Sequence, residues 1–190
     1  GREARAAGAG LLLGPGANLK RGPLCGRNFE YFSEDPLLTG RLAAAFIRGV
    51  QSEGVGACLK HFACNNQEYK RFSSNSVLDP RTLRELYLRG FELAVREGRP
   101  AAVMCAYNAV NGEHCSDSRE LLTDILRGDW GFEGAVVTDW GATSDRIKGF
   151  KAGCDLMMPG GSRYMERDCL RALERGELRR GELEACAARV

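Results

Sequence analysis

The residue with the clearest potential for chemistry is an aspartate that follows an apolar segment. Asp139 comes directly after Val136–Thr138 and is followed by Trp140 and Gly141. In a parallel α/β protein, side chains at the carboxyl ends of the strands point into the active-site mouth, so this carboxylate is placed where chemistry is done. The neighbouring indole offers a flat apolar surface of the kind that stacks on a sugar ring. The alternative interpretation is that Asp139 caps the turn or helix that follows, since Asp is a common cap residue.

Three further apolar segments also end in polar side chains. Arg27 lies in the loop after the first predicted strand, Lys60 and His61 lie at the end of the second, and Tyr107 ends the third. Because the carboxyl ends of parallel strands meet at one edge of a sheet, we expect these groups to share one cleft with the aspartate. Such a set suits a polyhydroxylated neutral ligand. Taken singly, the same residues could be a surface lysine, a core histidine and a core tyrosine, but their joint placement favours a site.

Alternating strands and helices must position these groups. Asp35-Pro36 and Asp79-Pro80 each combine a cap residue with a proline suited to the first helical turn. The predicted strands are Leu11–Leu13, Gly56–Phe62, Ala101–Tyr107, Gly134–Asp139 and Asp155–Met158. The predicted helices are Pro36–Glu53, 79–98, Ser118–Arg127, Asp145–Lys151, Met165–Arg175 and Glu182–Val190.

This alternation predicts an α/β fold with right-handed crossovers and a mainly parallel sheet. Five strands are too few for a closed (β/α)8 barrel. The chain is therefore either an open doubly wound sheet or an incomplete (β/α)8 TIM-type barrel that lacks its first strand or strands. The turn Gly14-Pro15-Gly16-Ala17-Asn18 lacks the glycine patterns of nucleotide-binding loops, so we expect no nucleotide cofactor.

The composition indicates a soluble globular domain and excludes several partners. The 190 residues are 44% hydrophobic and 27% charged, with a formal net charge of +2, so nothing favours a nucleic acid or an anionic membrane as partner. No apolar run approaches the ~18 residues that a membrane helix needs. The chain starts at Gly1 without a methionine, and residues 1–5 resemble the interior of a helix. We therefore expect a piece of a longer protein.

The eight cysteines contain no C-x-x-C pair. Cys58 and Cys64 flank Lys60-His61, but their spacing fits no common zinc pattern, so we predict no metal site. Free buried thiols that fill small apolar sites are the favoured interpretation. Such thiols favour a reducing, cytoplasmic compartment.

Several long motifs resemble glycoside hydrolase family 3, and above all its bacterial β-glucosidases. The segments that carry the resemblance are Gly14–Arg21, Cys25–Pro36, Leu59–Phe62, Asn65–Glu68, Val103–Asn108 and Val137–Ala142. The resemblance extends across almost the whole chain. It implies a barrel domain of a retaining exo-glycosidase that hydrolyses terminal non-reducing β-D-glucosyl residues of a β-glucoside or oligosaccharide, with no cofactor. A β-xylosidase or α-L-arabinofuranosidase of the same family, or a non-catalytic sugar-binding remnant, stays open as an alternative.

The same resemblance implies roles for individual residues. Asp139 matches the catalytic nucleophile of the family, which forms a covalent glycosyl-enzyme intermediate. The positions that match sugar-binding residues are Arg27, Lys60, His61, Arg71 and Tyr107, and those that match walls of the subsite are Met104 and Trp140.

Two groups that the family uses have no match in residues 1–190. One is a substrate-binding Asp upstream of Gly14, and the other is the general acid/base Glu of a second α/β sandwich domain. We assign neither Glu68 nor Glu113 to that role. The branch of β-N-acetylglucosaminidases, which continues Lys-His-Phe with Pro-Gly-His-Gly, is disfavoured because Ala63 and Cys64 follow here. We expect the isolated chain to be poorly stable, since an unclosed barrel exposes sheet edges and apolar faces.

Overall fold

Residues 1–190 are all described by a computed structural model, in which four parallel strands form the main sheet. These strands are β1 (Leu11–Leu12), β2 (Gly56–Phe62), β4 (Ala102–Cys105) and β7 (Ala135–Thr138). Three shorter strands form a separate sheet, namely β3 (Asn75–Ser76), β5 (Ala109–Val110) and β6 (Glu113–His114).

Seven helical segments connect and cover these strands. They are α1 (Arg2–Ala6), α2 (Pro36–Gln51), α3 (80–98, with π-helical turns), α4 (Glu120–Asp129), α5 (Arg146–Ala152), α6 (Arg163–Glu174) and α7 (Arg180–Ala187). The predicted starts of α2 and α3 are confirmed. Asp35 accepts a hydrogen bond from the amide of Leu38 at 2.6 Å, and Asp79 accepts one from Thr82 at 3.0 Å. No helix combines the length and the hydrophobicity that crossing a bilayer requires.

The order of the strands decides between the two predicted architectures. Each strand of the main sheet lies beside the one before it in the chain, in the order β1-β2-β4-β7. A doubly wound sheet would reverse its order at a switch point. Instead α2 and α3 pack against each other so closely that a Cβ on Gly40 would come within 2.7 Å of the Cβ of Leu93. The incomplete barrel is therefore the confirmed prediction.

The two faces of the main sheet bury different sets of side chains, because successive residues of a strand point to opposite sides. The face covered by helices carries Leu59, Val103 and Val136 within a cluster of 29 buried residues. The other face, which corresponds to the inside of the barrel, carries a small cluster of Cys58, Ala102, Met104 and Val137. Asp139 is two residues beyond Val137 and therefore continues the inner face.

The predicted strand Asp155–Met158 is wrong as a strand. This segment meets β7 at a single parallel bridge, between Leu156 and Val137. The physical reason is that a side chain takes a main-chain donor of β7 that a strand ladder would use. The Asp155 carboxylate accepts the amide of Val136 at 2.7 Å, so that donor is not available to a neighbouring main chain.

The second sheet was not predicted. Its hairpin joins β5 to β6 through Asn111 and Gly112, whose φ angles are 50° and 92°. Two consecutive residues with positive φ form the tight turn that Asn-Gly favours. Each of its strands has only two residues, which is too short to give an alternating pattern.

All eight cysteines are free, and all but Cys169 are buried, as the sequence predicted. Burial raises the pKa of the Cys58 thiol to about 12 and also raises the pKa of Cys64. These two thiols are therefore protonated, which makes them poor metal ligands. No cluster of three or more His, Cys, Asp or Glu side chains is arranged to hold a metal ion.

Candidate active site

The pairing of β4 with β7 fixes the position of Asp139. Cys105 pairs with Thr138 in a regular parallel register, and the amide of Asp139 donates to the carbonyl of Cys105 at 3.3 Å. The chain then turns at Gly141, which has φ +81°. Asp139 is thus the first residue beyond the strand, and its side chain is 13% exposed.

The two carboxylate oxygens of Asp139 have different surroundings. Oδ1 accepts a hydrogen bond from the amide of Trp140 at 2.7 Å. Oδ2 lies 3.5 Å from Nε2 of His61 and 3.8 Å from Nη1 of Arg27, beyond ordinary hydrogen-bond length. The next helix is capped by Asp145 instead, so the interpretation of Asp139 as a helix cap is wrong. One oxygen of Asp139 holds the turn, and the other is available to a ligand.

His61 is held rigidly beside that free oxygen. Asn18 accepts from the main-chain N–H of His61 at 2.8 Å and donates to its carbonyl at 2.9 Å. The imidazole Nδ1 lies 3.1 Å from the hydroxyl of Tyr31, and this hydroxyl also accepts a hydrogen bond from Asn65 at 3.2 Å. Nδ1 also lies 3.4 Å from Oδ1 of Asn18. We assign the imidazole proton to Nε2, with Nδ1 accepting from the Tyr31 hydroxyl, because Nε2 is the ring nitrogen beside the Asp139 carboxylate. That buried Nε2–H has no partner in the protein and faces Asp139.

The same surroundings keep His61 uncharged. Burial, together with the positive charges of Arg27, Lys60 and Arg71, lowers the pKa of His61 to about 2. His61 is consequently a neutral hydrogen-bond donor at any ordinary pH. It cannot serve as a general acid that alternates between charged and neutral forms.

Glu30 links two of the predicted sugar-binding cations. Its Oε1 accepts from Nε of Arg27 at 2.5 Å, and its Oε2 lies 3.1 Å from Nζ of Lys60. Burial alone would raise the pKa of Glu30, but the hydrogen bonds from Arg27 and Lys60 outweigh burial and lower it. Sequence analysis gave Glu30 no role, although its spacing of three residues from Arg27 is one at which side chains on a helical turn meet.

Arg71 and Tyr107 form the opposite side of the site. The guanidinium of Arg71 lies 4.4 Å from the ring centre of Tyr107 and donates to Glu68 at 3.0 Å. The Tyr107 hydroxyl donates to the carbonyl of Trp140 at 2.9 Å. Burial raises the pKa of Tyr107, and the charge of Asp139 raises it further. The loop after β2 is thereby fastened to the ends of β4 and β7.

The two predicted wall residues lie next to Asp139 in different ways. Met104 is 2% exposed and pairs with Val137 on the inner face, two residues before Asp139. Trp140 is 41% exposed and directly follows Asp139. All eight residues that the sequence singled out thus lie in β2, β4 or the segments that follow β1, β2, β4 and β7.

Two grooves of the surface lie away from these residues. One lies beside Gly131–Gly134, at the opposite end of β7, and another lies between α5 and α6. Neither places a free carboxylate oxygen beside a buried neutral donor. The chemistry of the side chains, rather than the volume of a groove, assigns the site to Asp139.

Comparison with known proteins agrees with this geometry. Residues 1–190 match the model of the "Glycosyl hydrolase family 3 N terminal domain". The chain is 53% identical over its full length to thermostable beta-glucosidase B of Acetivibrio thermocellus, of which it covers 25%. It is 47% identical to an exo-alpha-(1->6)-L-arabinopyranosidase of Bifidobacterium breve, over 93% of this chain and 23% of that protein.

A solved structure shows the same fold. The beta-glucosidase 3B of Thermotoga neapolitana, in complex with alpha-D-glucose, superposes with a TM-score of 0.96 at 47% identity. The match covers 99% of this chain and 27% of that one. The chain thus spans about a quarter of the length of these relatives. Because the family model matches from the first residue to the last, this chain belongs to the glycosyl hydrolase family 3 N-terminal domain family.

Proposed function

We propose that the protein to which this chain belongs is a retaining, exo-acting β-glucosidase, and that Asp139 is its nucleophile. The observation that carries this proposal is the free Oδ2 of Asp139, which lies 3.5 Å from the unpartnered Nε2 of His61 and 3.8 Å from Arg27. The beta-glucosidases among the similar proteins support the choice of substrate.

In the proposed reaction, Oδ2 of Asp139 attacks the anomeric carbon of a terminal glucose. The bond from that carbon to the aglycone oxygen breaks, and a second carboxyl group gives its proton to the departing oxygen. Water then attacks the glycosyl-aspartate ester, loses a proton to the same second group and restores the anomeric configuration.

The remaining residues bind the sugar. Arg27, Lys60 and the Nε2–H of His61 supply donors for its hydroxyls, and the exposed indole of Trp140 supplies an apolar face. Contacts to hydroxyls that strengthen as the ring flattens stabilise the transition state more than the bound substrate. These residues therefore contribute to rate as well as to affinity.

We place the general acid outside residues 1–190. Glu30 and Glu68 are both engaged with cations of the site, and the pKa of Glu30 is lowered. A general acid needs a raised pKa in order to hold its proton at the working pH. The sandwich domain expected from the sequence is our candidate for its source, in keeping with the greater length of the relatives.

A second candidate is an α-L-arabinopyranosidase, because one relative of 47% identity has that activity. Release of nitrophenol from the β-D-glucoside and the α-L-arabinopyranoside by the full-length protein distinguishes the two. The glucoside is expected to give the higher kcat/KM.

Covalent trapping tests the assignment of Asp139. The full-length protein is incubated with an activated 2-deoxy-2-fluoro-β-glucoside, digested and mapped by mass spectrometry. We expect one fluoroglucosyl group on the peptide that contains Asp139 and none in the Asp139→Asn variant. A label on a different side chain, or a product of inverted configuration, would refute the assignment.

A further inference from the structure

The cations around Asp139 are balanced by carboxylates that sequence analysis left without a role. Arg71 is paired with Glu68 at 3.0 Å, whereas Arg27 and Lys60 share the single carboxylate of Glu30. With Asp139 itself, the site holds three cations and three anions. Removing Glu30 would leave two cations without their shared partner beside the proposed nucleophile.

We propose that Glu30 is a positioning residue of the reaction, which holds Arg27 and Lys60 in place and limits the positive charge that Asp139 experiences. The proposal rests on the proposed function of Asp139 as the nucleophile. It gives Glu30 a task through its two neighbours, with no contact to the substrate.

The geometry of the Glu30 fork supports the positioning role. Its two oxygens reach cations from different elements, since Arg27 precedes the short turn Asn28–Glu30 and Lys60 lies on β2. Glu30 takes the Nε of Arg27, and this leaves Nη1 directed at Asp139 at 3.8 Å. The side chains of all three residues are between 16% and 20% exposed, so water screens the pairs only partly.

The other titratable groups near Asp139 do not provide the same control. His61 is neutral because its pKa is lowered to about 2, and Tyr107 stays neutral because its pKa is raised. Burial likewise raises the pKa of the Cys58 thiol to about 12. Of the two groups that lie within 4 Å of Oδ2 of Asp139, His61 and Arg27, Arg27 is therefore the charged one, and Glu30 is its partner.

The test compares Glu30→Gln and Glu30→Asp in the full-length protein, with nitrophenyl β-glucoside as substrate. Glu30→Gln keeps the shape of the side chain and removes its charge. We expect kcat/KM to fall by roughly 10- to 100-fold, as is common when a residue that orients a binding group is lost. We also expect the acid limb of its pH profile to move to lower pH by roughly 0.5 unit, because loss of the Glu30 charge leaves the charges of Arg27 and Lys60 uncompensated beside the proposed nucleophile.

Glu30→Asp distinguishes the effect of the charge from the effect of the length of the side chain. It keeps the negative charge but shortens the side chain, so we expect the acid limb at the wild-type position and a KM above that of the wild type. The matched control is Glu177→Gln, which removes the same charge from an exposed pair with Arg175 and should change neither quantity.

An acid limb that stays in place in Glu30→Gln while kcat/KM falls would overturn the proposal, since a purely structural role lowers activity without changing the ionisation of Asp139. Wild-type kcat/KM in that variant would overturn it as well. The failure of the proposed function is a separate result, because it would show as a covalent label away from Asp139 in the wild-type protein.

Discussion

Asp139 and Asp155 are two buried aspartates that contact the same strand, β7, in opposite ways. Asp155 has no exposed side-chain surface and uses both oxygens, Oδ2 for Arg127 at 2.8 Å and Oδ1 for Arg189 at 2.7 Å. Its Oδ2 also accepts from the amide of Val136. Asp139 is 13% exposed and leaves Oδ2 without a hydrogen bond.

The difference separates a structural carboxylate from a reactive one. A carboxylate whose lone pairs are all engaged by arginines and a main-chain amide ties elements together, here α4, β7 and the residue after α7. A carboxylate that keeps one oxygen free beside a fixed donor can form a bond to a ligand. Burial alone does not distinguish the two, because both count as buried when the whole residue is measured, with exposed fractions of 9% for Asp139 and 4% for Asp155.

The largest expected effect is on the activity of Asp139→Asn. This substitution removes the nucleophile but preserves the hydrogen bond to Trp140, so kcat should fall by roughly 10³-fold or more with little change in the free energy of unfolding. Steady-state kinetics and denaturant unfolding of the full-length protein measure both. Substantial residual activity that survives repurification would contradict a nucleophilic role.

Asp155→Asn is expected to do the reverse. It leaves two half-buried arginines facing a fully buried side chain that no longer carries a charge, and the loss of one partner of a buried ion pair costs up to about 3–5 kcal/mol of stability. The kcat of the molecules that remain folded should stay within a few-fold of wild type. Asp168→Asn is the control, because Asp168 faces Arg171 at 3.6 Å on the surface and should change stability by less than about 1 kcal/mol. Equal losses of stability in the two variants would show that the ion pairs of Asp155 with Arg127 and Arg189 stabilise the fold no more than a surface pair does.

The smallest effect concerns the neighbours of the two aspartates. The arginines at Asp155 are always charged, whereas His61 at Asp139 is neutral. The folded pKa of His61, about 2, lies below the ordinary value of 6.5, so its contribution to stability is fully present above pH 6.5 and is lost as the pH falls towards 2. The loss should approach about 1.4 kcal/mol per pH unit.

Denaturant unfolding at pH 6.5 and pH 5.5, in the wild-type protein and in His61→Gln, measures this contribution. The wild type should lose more stability than the variant over that interval. Parallel losses in the two proteins would mean that His61 takes up its proton in the folded state as readily as in the unfolded state.

The sequence predicted the parts of the fold that local patterns encode. Asp35 and Asp79, as N-cap residues, indicated where two helices begin, and apolar segments indicated the positions of β2, β4 and β7. The placement of Asp139 followed from the same logic, since a strand end is visible in the sequence. What local patterns could not encode was the pairing between distant residues.

The segment 155–158 illustrates that limit. Its apolar residues predicted a strand, but the ladder is replaced by a carboxylate that long-range arginines orient. The sequence did not predict a role for Glu30 for the same reason, because one of its two partners, Lys60, lies 30 residues away in β2. The hairpin at Asn111-Gly112, in contrast, has a local signal in the sequence, since Asn-Gly is typical of a two-residue hairpin turn.

The register of β4 against β7 has a consequence for how this sequence can vary. Side chains alternate between the faces, so deleting or inserting one residue between Ala135 and Asp139 would turn the carboxylate towards the helices, where Thr138 now bonds to the amide of Met158. After Gly141 the chain is free of that alternation until α5. Evolution can therefore lengthen or shorten the segment that follows Gly141, but the four residues before Asp139 must keep their number.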